Sequence, residues 1–191
     1  MSQTMSIRDN KSRIGGKNRA LILKAAEMVF ARKGFNGSRL TEIAAAAGLP
    51  KANLLYYFRS KEGLYRAVCS DILETWLHAL GDISADDKPD EALQSYIKAK
   101  MDLSRRRPDA SKVFAMEIIS GAPVMGDYLR QDLKDWVDQQ AKVFKIWQSR
   151  GEMAEVAPRH VFFLIWAATQ TYADFDTQIT AILRSEEHTS E

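Results

Sequence analysis

The stretch GLPKANLLYYFRSKEGLY, residues 48–65, decides how the chain is read. Gly48 supplies a left-handed turn that residues with a Cβ resist, and Pro50 pre-sets the first turn of a helix over roughly Lys51–Tyr57. Leu54, Leu55, Tyr56, Tyr57 and Phe58 follow in one run, with Lys51, Arg59 and Lys61 around them. A short surface helix has no packing use for three consecutive aromatics. Leu54 and Phe58 are four apart and are expected to anchor the helix from behind. The front then presents Lys51, Ala52, Asn53 and Tyr57. A phenol is rigid and reaches a phosphate oxygen while its ring packs on sugar, and lysine adds charge. Ser60 is placed to cap the next helix. Its first residue, Lys61, stands where a helix N-terminus suits a phosphate.

Upstream, Ala20, Leu21, Leu23, Ala25, Met28, Val29 and Phe30 recur at helical spacing between Lys17 and Lys33, and Gly34 ends that helix. Ser38 is placed to cap a short second helix, Leu40–Ala47, with Ile43, Ala44 and Ala47 inward. The small Ala44, Ala45 and Ala47 allow the second and third helices to cross closely. Two short helices joined by about three residues with a glycine make a helix-turn-helix. Residues 1–16 are read as a flexible basic arm, 17–60 as the helix-turn-helix domain and 61–183 as a helical body. In the arm and just after it, Lys11, Arg13 and Lys17 add nonspecific affinity for a polyanion.

Downstream, a long helix is expected over Ser60–Leu80, followed by a polar break at 81–88 and a helix from Pro89 to about Arg107. Asp109 is placed to cap a further helix that ends at Gly121–Pro123, and one long helix is expected over Asp127–Arg150. The last, from Pro158 to Leu183, contains VFFLIWAATQTYADF, apolar nearly all round and so expected to be buried. No segment reads as a strand. The fold class is all-α.

The formal net charge of +2 hides an asymmetry. Residues 1–66 hold thirteen Lys and Arg against four Asp and Glu, a net of +9, and the rest carries −7. A basic head on an acidic body points to a polyanionic partner for the head. Charge alone leaves nucleic acid and an anionic membrane open; the helix-turn-helix selects nucleic acid. One cysteine, Cys69, excludes an internal disulfide and fits a reducing cytoplasm. No nucleophile–base pair, phosphate-cradling loop or metal-ligand spacing is present in the sequence, so neither an enzyme nor a metal or other cofactor is expected.

The succession FARKGFNGSRL, EIAAAAGLP and LLYYFRSKEGLY, residues 30–65, resembles the TetR family of bacterial transcriptional regulators. The resemblance implies a homodimer whose three-helix heads read double-stranded DNA, with a helical body that binds a small molecule and dimerises. It implies DNA contacts from Lys51, Ala52, Asn53, Tyr57 and, packing partly inward, Tyr56. Ser38 and Arg39 are implied backbone contacts, and Lys61 a phosphate ligand. From about Gly34 to Phe175 the likeness narrows to regulators of pyrimidine utilisation that respond to uracil or thymine, through DILETWL, RRPDASKVFAMEIISGAP and IWAATQTYADF. The chain departs from that branch at Pro50 (usually Ser), Ala52 (usually Thr) and Gly63 (usually Ala). In the last helix Ala168 replaces a serine and Thr171 a histidine. The terminal RSEEHTSE, residues 184–191, resembles a translated sequencing adapter. It is read as a non-native tail that leaves the family's last helix missing.

The four tryptophans, Trp76, Trp136, Trp147 and Trp166, are core aromatics by default. Trp166, Gln170 and Asp174 differ, because they recur every four residues along a nearly all-apolar helix. A buried amide needs partners. Gln170 both donates and accepts, which suits the alternating C=O and N–H edge of a pyrimidine with a tryptophan on the ring; helix packing is the alternative. Trp76, on the helix shared by head and body, is the expected link between ligand and head. Met116, Glu117 and Tyr172 complete the set of candidate pocket residues.

Overall fold

The computed structural model describes the backbone of residues 7–81 and 83–187, and the side chains of residues 15–76, 81 and 83–183. The described residues contain helices and no strand. None of those helices is long and apolar enough to cross a membrane. The chain divides into two compact units, Met1–Asp71 and Ile72–Glu191. Helix α4 contributes residues to both.

In the first unit α1 spans Ile7–Gly37, with Gly34 leaving the helical region at φ 67° and ψ 175°. Gly34 therefore ends the regular helix as expected, but the start lies ten residues earlier than Lys17. Residues 7–16, expected as part of an arm, are helical: Gly15 and Gly16 weaken a helix without forbidding it. Residues 1–6 and the side chains of Lys11 and Arg13 lie outside the described residues. Ile22, Ala26 and Phe30, four apart, are completely buried and form the inner line of α1, whereas Leu21 is half exposed.

Helix α2 covers Leu40–Ala46 and α3 covers Lys51–Phe58. Between them Gly48 takes φ 64°; its N–H bonds Ala45 O, and Leu49 N–H reaches back to Ala44 O. These two bonds are a Schellman motif, which needs a left-handed residue where Gly48 stands. Ile43, Ala44, Leu54 and Phe58 are buried, so α3 is held from behind by the two residues the sequence singled out. Pro50 is the N-cap of α3 rather than its first helical residue. Its carbonyl accepts from Asn53 N and Leu54 N, and no side chain caps the helix. Helix α4, Lys61–Leu80, starts as read: Ser60 Oγ accepts from Gly63 N at 3.0 Å. A Cβ on Gly63 would lie 2.7 Å from the Phe58 carbonyl oxygen, so the alanine usual in the branch this chain resembles would require this turn, with Arg59 at φ 55°, to shift.

In the second unit α5 covers Pro89–Arg106 and α6 Pro108–Ile119. Arg107, not Asp109, is the N-cap of α6, because Pro108 already occupies the first helical position and has no N–H to lose. The long helix expected over 127–150 is built of three pieces. These are α7 (Gly126–Tyr128), a π-helical turn at Leu129–Leu133, and α8 (Lys134–Ser149). The last expected helix is two, α9 (Pro158–Asp174) and α10 (Asp176–Glu187), broken where Phe175 leaves helical geometry at φ −117° and ψ 36°. Helix α9 packs against α5, α6 and α8. The core there is Ile83, Tyr96, Trp136, Val137, Phe144, Trp147, Phe162 and Ile165, which makes Trp136 and Trp147 core aromatics. Helix α9 is not buried all round: Phe163, Leu164 and Tyr172 are more than half exposed. Residues 184–187 of the expected tail continue α10, and 188–191 lie outside the described residues.

Candidate functional site

In the head, α3 turns Lys51, Ala52 and Asn53 outward. The tyrosines exchange the places expected of them. Tyr56 is 81% exposed, while Tyr57 is half-buried, packed edge-on to Tyr56 at 5.2 Å and tilted against Phe58 at 6.5 Å. The cause is α1: a Cβ on Gly15 would stand 3.8 Å from the Tyr57 hydroxyl, so the early start of that helix covers Tyr57.

Two other expected contacts are corrected. Ser38 is 3% exposed and neither caps α2 nor faces outward. Its hydroxyl donates to Phe35 O at 2.8 Å, closing the turn after α1. Lys61 is also turned inward. Its Nζ donates to Phe35 O at 2.9 Å and Ser38 O at 3.3 Å, and lies 4.4 Å from the Phe35 ring centroid. These carbonyls have no helical partner, and a lysine satisfies both at once while resting on an aromatic face. Lys61 therefore fastens the α1–α2 junction. Arg39, the N-cap residue of α2, is exposed, and Lys17 is exposed on α1.

In the body the line Trp166, Gln170, Asp174 meets side chains from α5 and α6. Trp166 Nε1 donates to the Tyr96 hydroxyl at 2.7 Å. Tyr96 is buried against Trp136 and Phe162, and burial pushes its hydroxyl up to about 12. One turn further along α5, Lys100 is only 3% exposed, with Nζ 4.4 Å from the Trp76 ring centroid. Burial pushes its ammonium down to about 8, against the pull of the Asp174 charge. Asp174 accepts from Ser111 Oγ at 2.5 Å. Burial raises its carboxyl above the usual range, with the Ser111 hydroxyl, Lys100 and Lys112 opposing. Gln170, between Trp166 and Asp174 on α9, is half-buried and makes no hydrogen bond with the described residues. Trp76 itself is buried and tilted against Phe114 at 4.7 Å.

Of the other pocket candidates, Glu117 is buried but serves the chain. Its Oε1 accepts from Val124 N at 2.5 Å and Met125 N at 3.0 Å, holding the loop after α6. Tyr172 lies outside the cluster. It is 60% exposed and lines, with Lys98, Met101 and Thr169, a groove of about 550 Å³ between α5 and α9. Met116 is half-buried. Tyr96, Lys100 and Ser111 were not singled out from the sequence. The available signal was the spacing of Tyr96, Lys100 and Ser104, which puts a lysine in the inward line of α5. Of the departures in α9, Ala168 is exposed and Thr171 bonds Ala167 O at 2.6 Å. Neither is among the contacts of this cluster.

Comparison with known proteins supplies the family. The model of bacterial regulatory proteins of the tetR family matches residues 22–68, and that of the C-terminal region of YcdC-like proteins matches residues 69–191. The HTH-type transcriptional regulator RutR of Escherichia coli K12 is 44% identical over 172 residues, 90% of this chain and 81% of that protein. The HTH-type transcriptional repressor NicS of Pseudomonas putida is 32% identical over 102 residues, 53% of this chain and 48% of that protein. A TetR-like transcriptional regulator from Rhodococcus sp. RHA1 shares the fold at a TM-score of 0.65 and 20% identity, over 82% of each chain. The chain belongs to the TetR family of DNA-binding transcriptional regulators, with α2 and α3 as its helix-turn-helix.

Proposed function

We propose that this regulator binds its operator as a homodimer and that a small pyrimidine such as uracil or thymine modulates that binding, controlling genes of pyrimidine or nitrogen metabolism. Lys51, Ala52, Asn53 and Tyr56 form the DNA-reading front of α3, Tyr57 contributes its exposed edge, and Arg39 and Lys17 add phosphate contacts. The exposed apolar residues Phe163, Leu164, Phe175, Ile182 and Leu183 of the α9–α10 stretch supply a face of the kind that dimerisation covers.

The observation that carries the effector is Gln170. Gln170 is half-buried and makes no hydrogen bond with the described residues, so its amide is free to donate to and accept from a ligand. It stands one turn from a tryptophan on one side and a carboxylate on the other, a set that suits a flat ring edged with C=O and N–H groups. The likeness of IWAATQTYADF to pyrimidine-responsive regulators supports the same chemistry. An effector acts only through a difference in its affinity for two states. Trp76 lies on α4, the helix with residues in both units, and is the proposed route by which occupancy reaches the head.

A thermal-shift screen of nucleobases against the full chain tests this reading. Uracil or thymine raises Tm, and Gln170→Leu, which keeps the volume and loses both hydrogen bonds, folds but gives no shift. A normal uracil response in Gln170→Leu removes Gln170 from the site. A response only to a non-pyrimidine metabolite replaces the effector.

A further inference from the structure

The outward face of α3 is not that of an ordinary basic helix. With Leu54 and Phe58 buried, the side chains pointing most directly away from the head are those of Ala52 and Tyr56, four apart on one line. Leu55 and Asn53 stand on either side of that line, both exposed, and Lys51 is exposed in the first turn. The centre of the face is therefore a methyl group and a phenol ring, with amide and charge at its margin. The ring is held in place: Tyr57 supports it edge-on at 5.2 Å and is itself tilted against Phe58. At that centre only the Tyr56 hydroxyl can hydrogen-bond; the rest of the surface offered is carbon.

We propose that Ala52 and the Tyr56 ring read thymine C5-methyl groups in the major groove, so that the operator half-site is chosen partly by methyls and not by hydrogen bonds alone. The assignment rests on the reading of α3 as the DNA-contacting front and adds which feature of the base pair that front selects. In the major groove the four base pairs differ in their donors and acceptors, and thymine alone adds a methyl. An apolar side chain laid against it removes carbon from water on both partners. Cytosine presents only a C–H at the same place and gives the face less to cover. The charge of the head names the occupant: residues 1–66 carry a net +9, which suits a polyanion and not an apolar protein surface. The margin fits the same duplex. Lys51 suits a phosphate or a guanine, and the Asn53 amide matches adenine, the partner of thymine. Neither can sense a methyl group.

The test uses a duplex that the full chain selects from a random pool, prepared in two forms, one with thymine and one with deoxyuridine at every thymine. Deoxyuridine keeps the hydrogen-bonding groups and removes only the methyl. Affinities for both forms are measured by anisotropy at fixed salt, without effector, for wild type, Ala52→Ser, Tyr56→Ala and the double variant. Because the two forms are compared within each protein, any change in folded fraction cancels. Wild type should bind the deoxyuridine form at least about tenfold more weakly than the thymine form. Each single variant should lower that ratio, and the double variant should bring it to about one. Equal binding of the two forms by wild type overturns the methyl reading and leaves α3 as the front. A ratio as large in the double variant as in wild type puts the methyl contact on other residues and overturns the assignment to Ala52 and Tyr56. A chain that selects no duplex from the pool, or a double variant that binds the thymine form as tightly as wild type, overturns the α3 front and the methyl reading with it.

Discussion

Helix α3 and the inner line of α5 carry the same pair of side chains, a lysine and a tyrosine, in opposite surroundings. On α3, Lys51 and Tyr56 stand in water, Tyr56 at 81% exposure. On α5, Tyr96 and Lys100 are 2% and 3% exposed, the tyrosine bonded by Trp166 and the lysine resting on Trp76. Exposed charge is cheap to hold and is screened by salt, so it suits contact with a long polyanion through many weak interactions. Buried charge is expensive, unscreened and directional, so it suits selection of one small molecule. On the proposed reading, one chemistry serves breadth outside and discrimination inside.

The comparison breaks most completely if α3 is not held from behind as described. Leu54 is completely buried between α3 and the rest of the head, and Leu54→Ala should destabilise the head by about 2–5 kcal/mol through lost burial and the cavity left. Chemical denaturation followed by circular dichroism, with loss of DNA binding in parallel, measures it. A loss under about 1 kcal/mol means α3 is not packed through that residue.

Next in size is the pH dependence contributed by Lys100. Its folded value is about 8 against an ordinary 10.5, so the folded state releases this proton first. Between those values the unfolded chain binds more protons, and stability therefore rises with pH across this window. Asp174 is the charged group facing it, and the Tyr96 hydroxyl, pushed to about 12, stays protonated throughout. The expected gain is roughly 1–3 kcal/mol between pH 7.5 and 10.5, absent in Lys100→Met. Urea midpoints of both proteins across that range give the answer, and identical slopes contradict a buried ammonium.

The outer region is sharpened by separating Lys51 and Tyr56 from Lys61. Lys51→Ala and Tyr56→Ala should each weaken DNA binding by about 1–3 kcal/mol with stability unchanged. Lys61→Ala should instead cost about 1–2 kcal/mol of head stability, since it strips a cation from two carbonyl oxygens. Salt-dependent fluorescence anisotropy with thermal melts distinguishes them. A Lys61→Ala protein of normal stability that binds all duplexes more weakly would return Lys61 to the phosphate role.

These contrasts mark what the sequence made legible. Gly48, the anchors Leu54 and Phe58, and the Ser60 cap follow from local rules, because a left-handed turn, a four-residue spacing and a cap are settled within a few residues. Ser38 and Lys61 misled because their partners are backbone carbonyls brought near by the turn after α1, which no residue type announces. Tyr56 and Tyr57 exchanged roles because α1 begins ten residues before the predicted start and covers one of them. Lys100 was passed over for a general reason: a lysine in an amphipathic helix is ordinarily on its wet side, and only the neighbours on α4 and α9 show that this one is not. On α9 the four-residue spacing of Trp166, Gln170 and Asp174 was visible, but the break at Phe175 was not, since nothing in YADFDTQ forces a helix to stop.

The most direct test of the account as a whole is the affinity of the full chain for a duplex it selects from a random pool, measured by anisotropy at fixed salt with and without uracil. The account predicts tight, salt-dependent binding that uracil shifts by at least about fivefold, the lower end of ordinary allosteric coupling. Binding that uracil leaves unchanged at concentrations saturating a calorimetrically detected site would contradict the coupling of body to head.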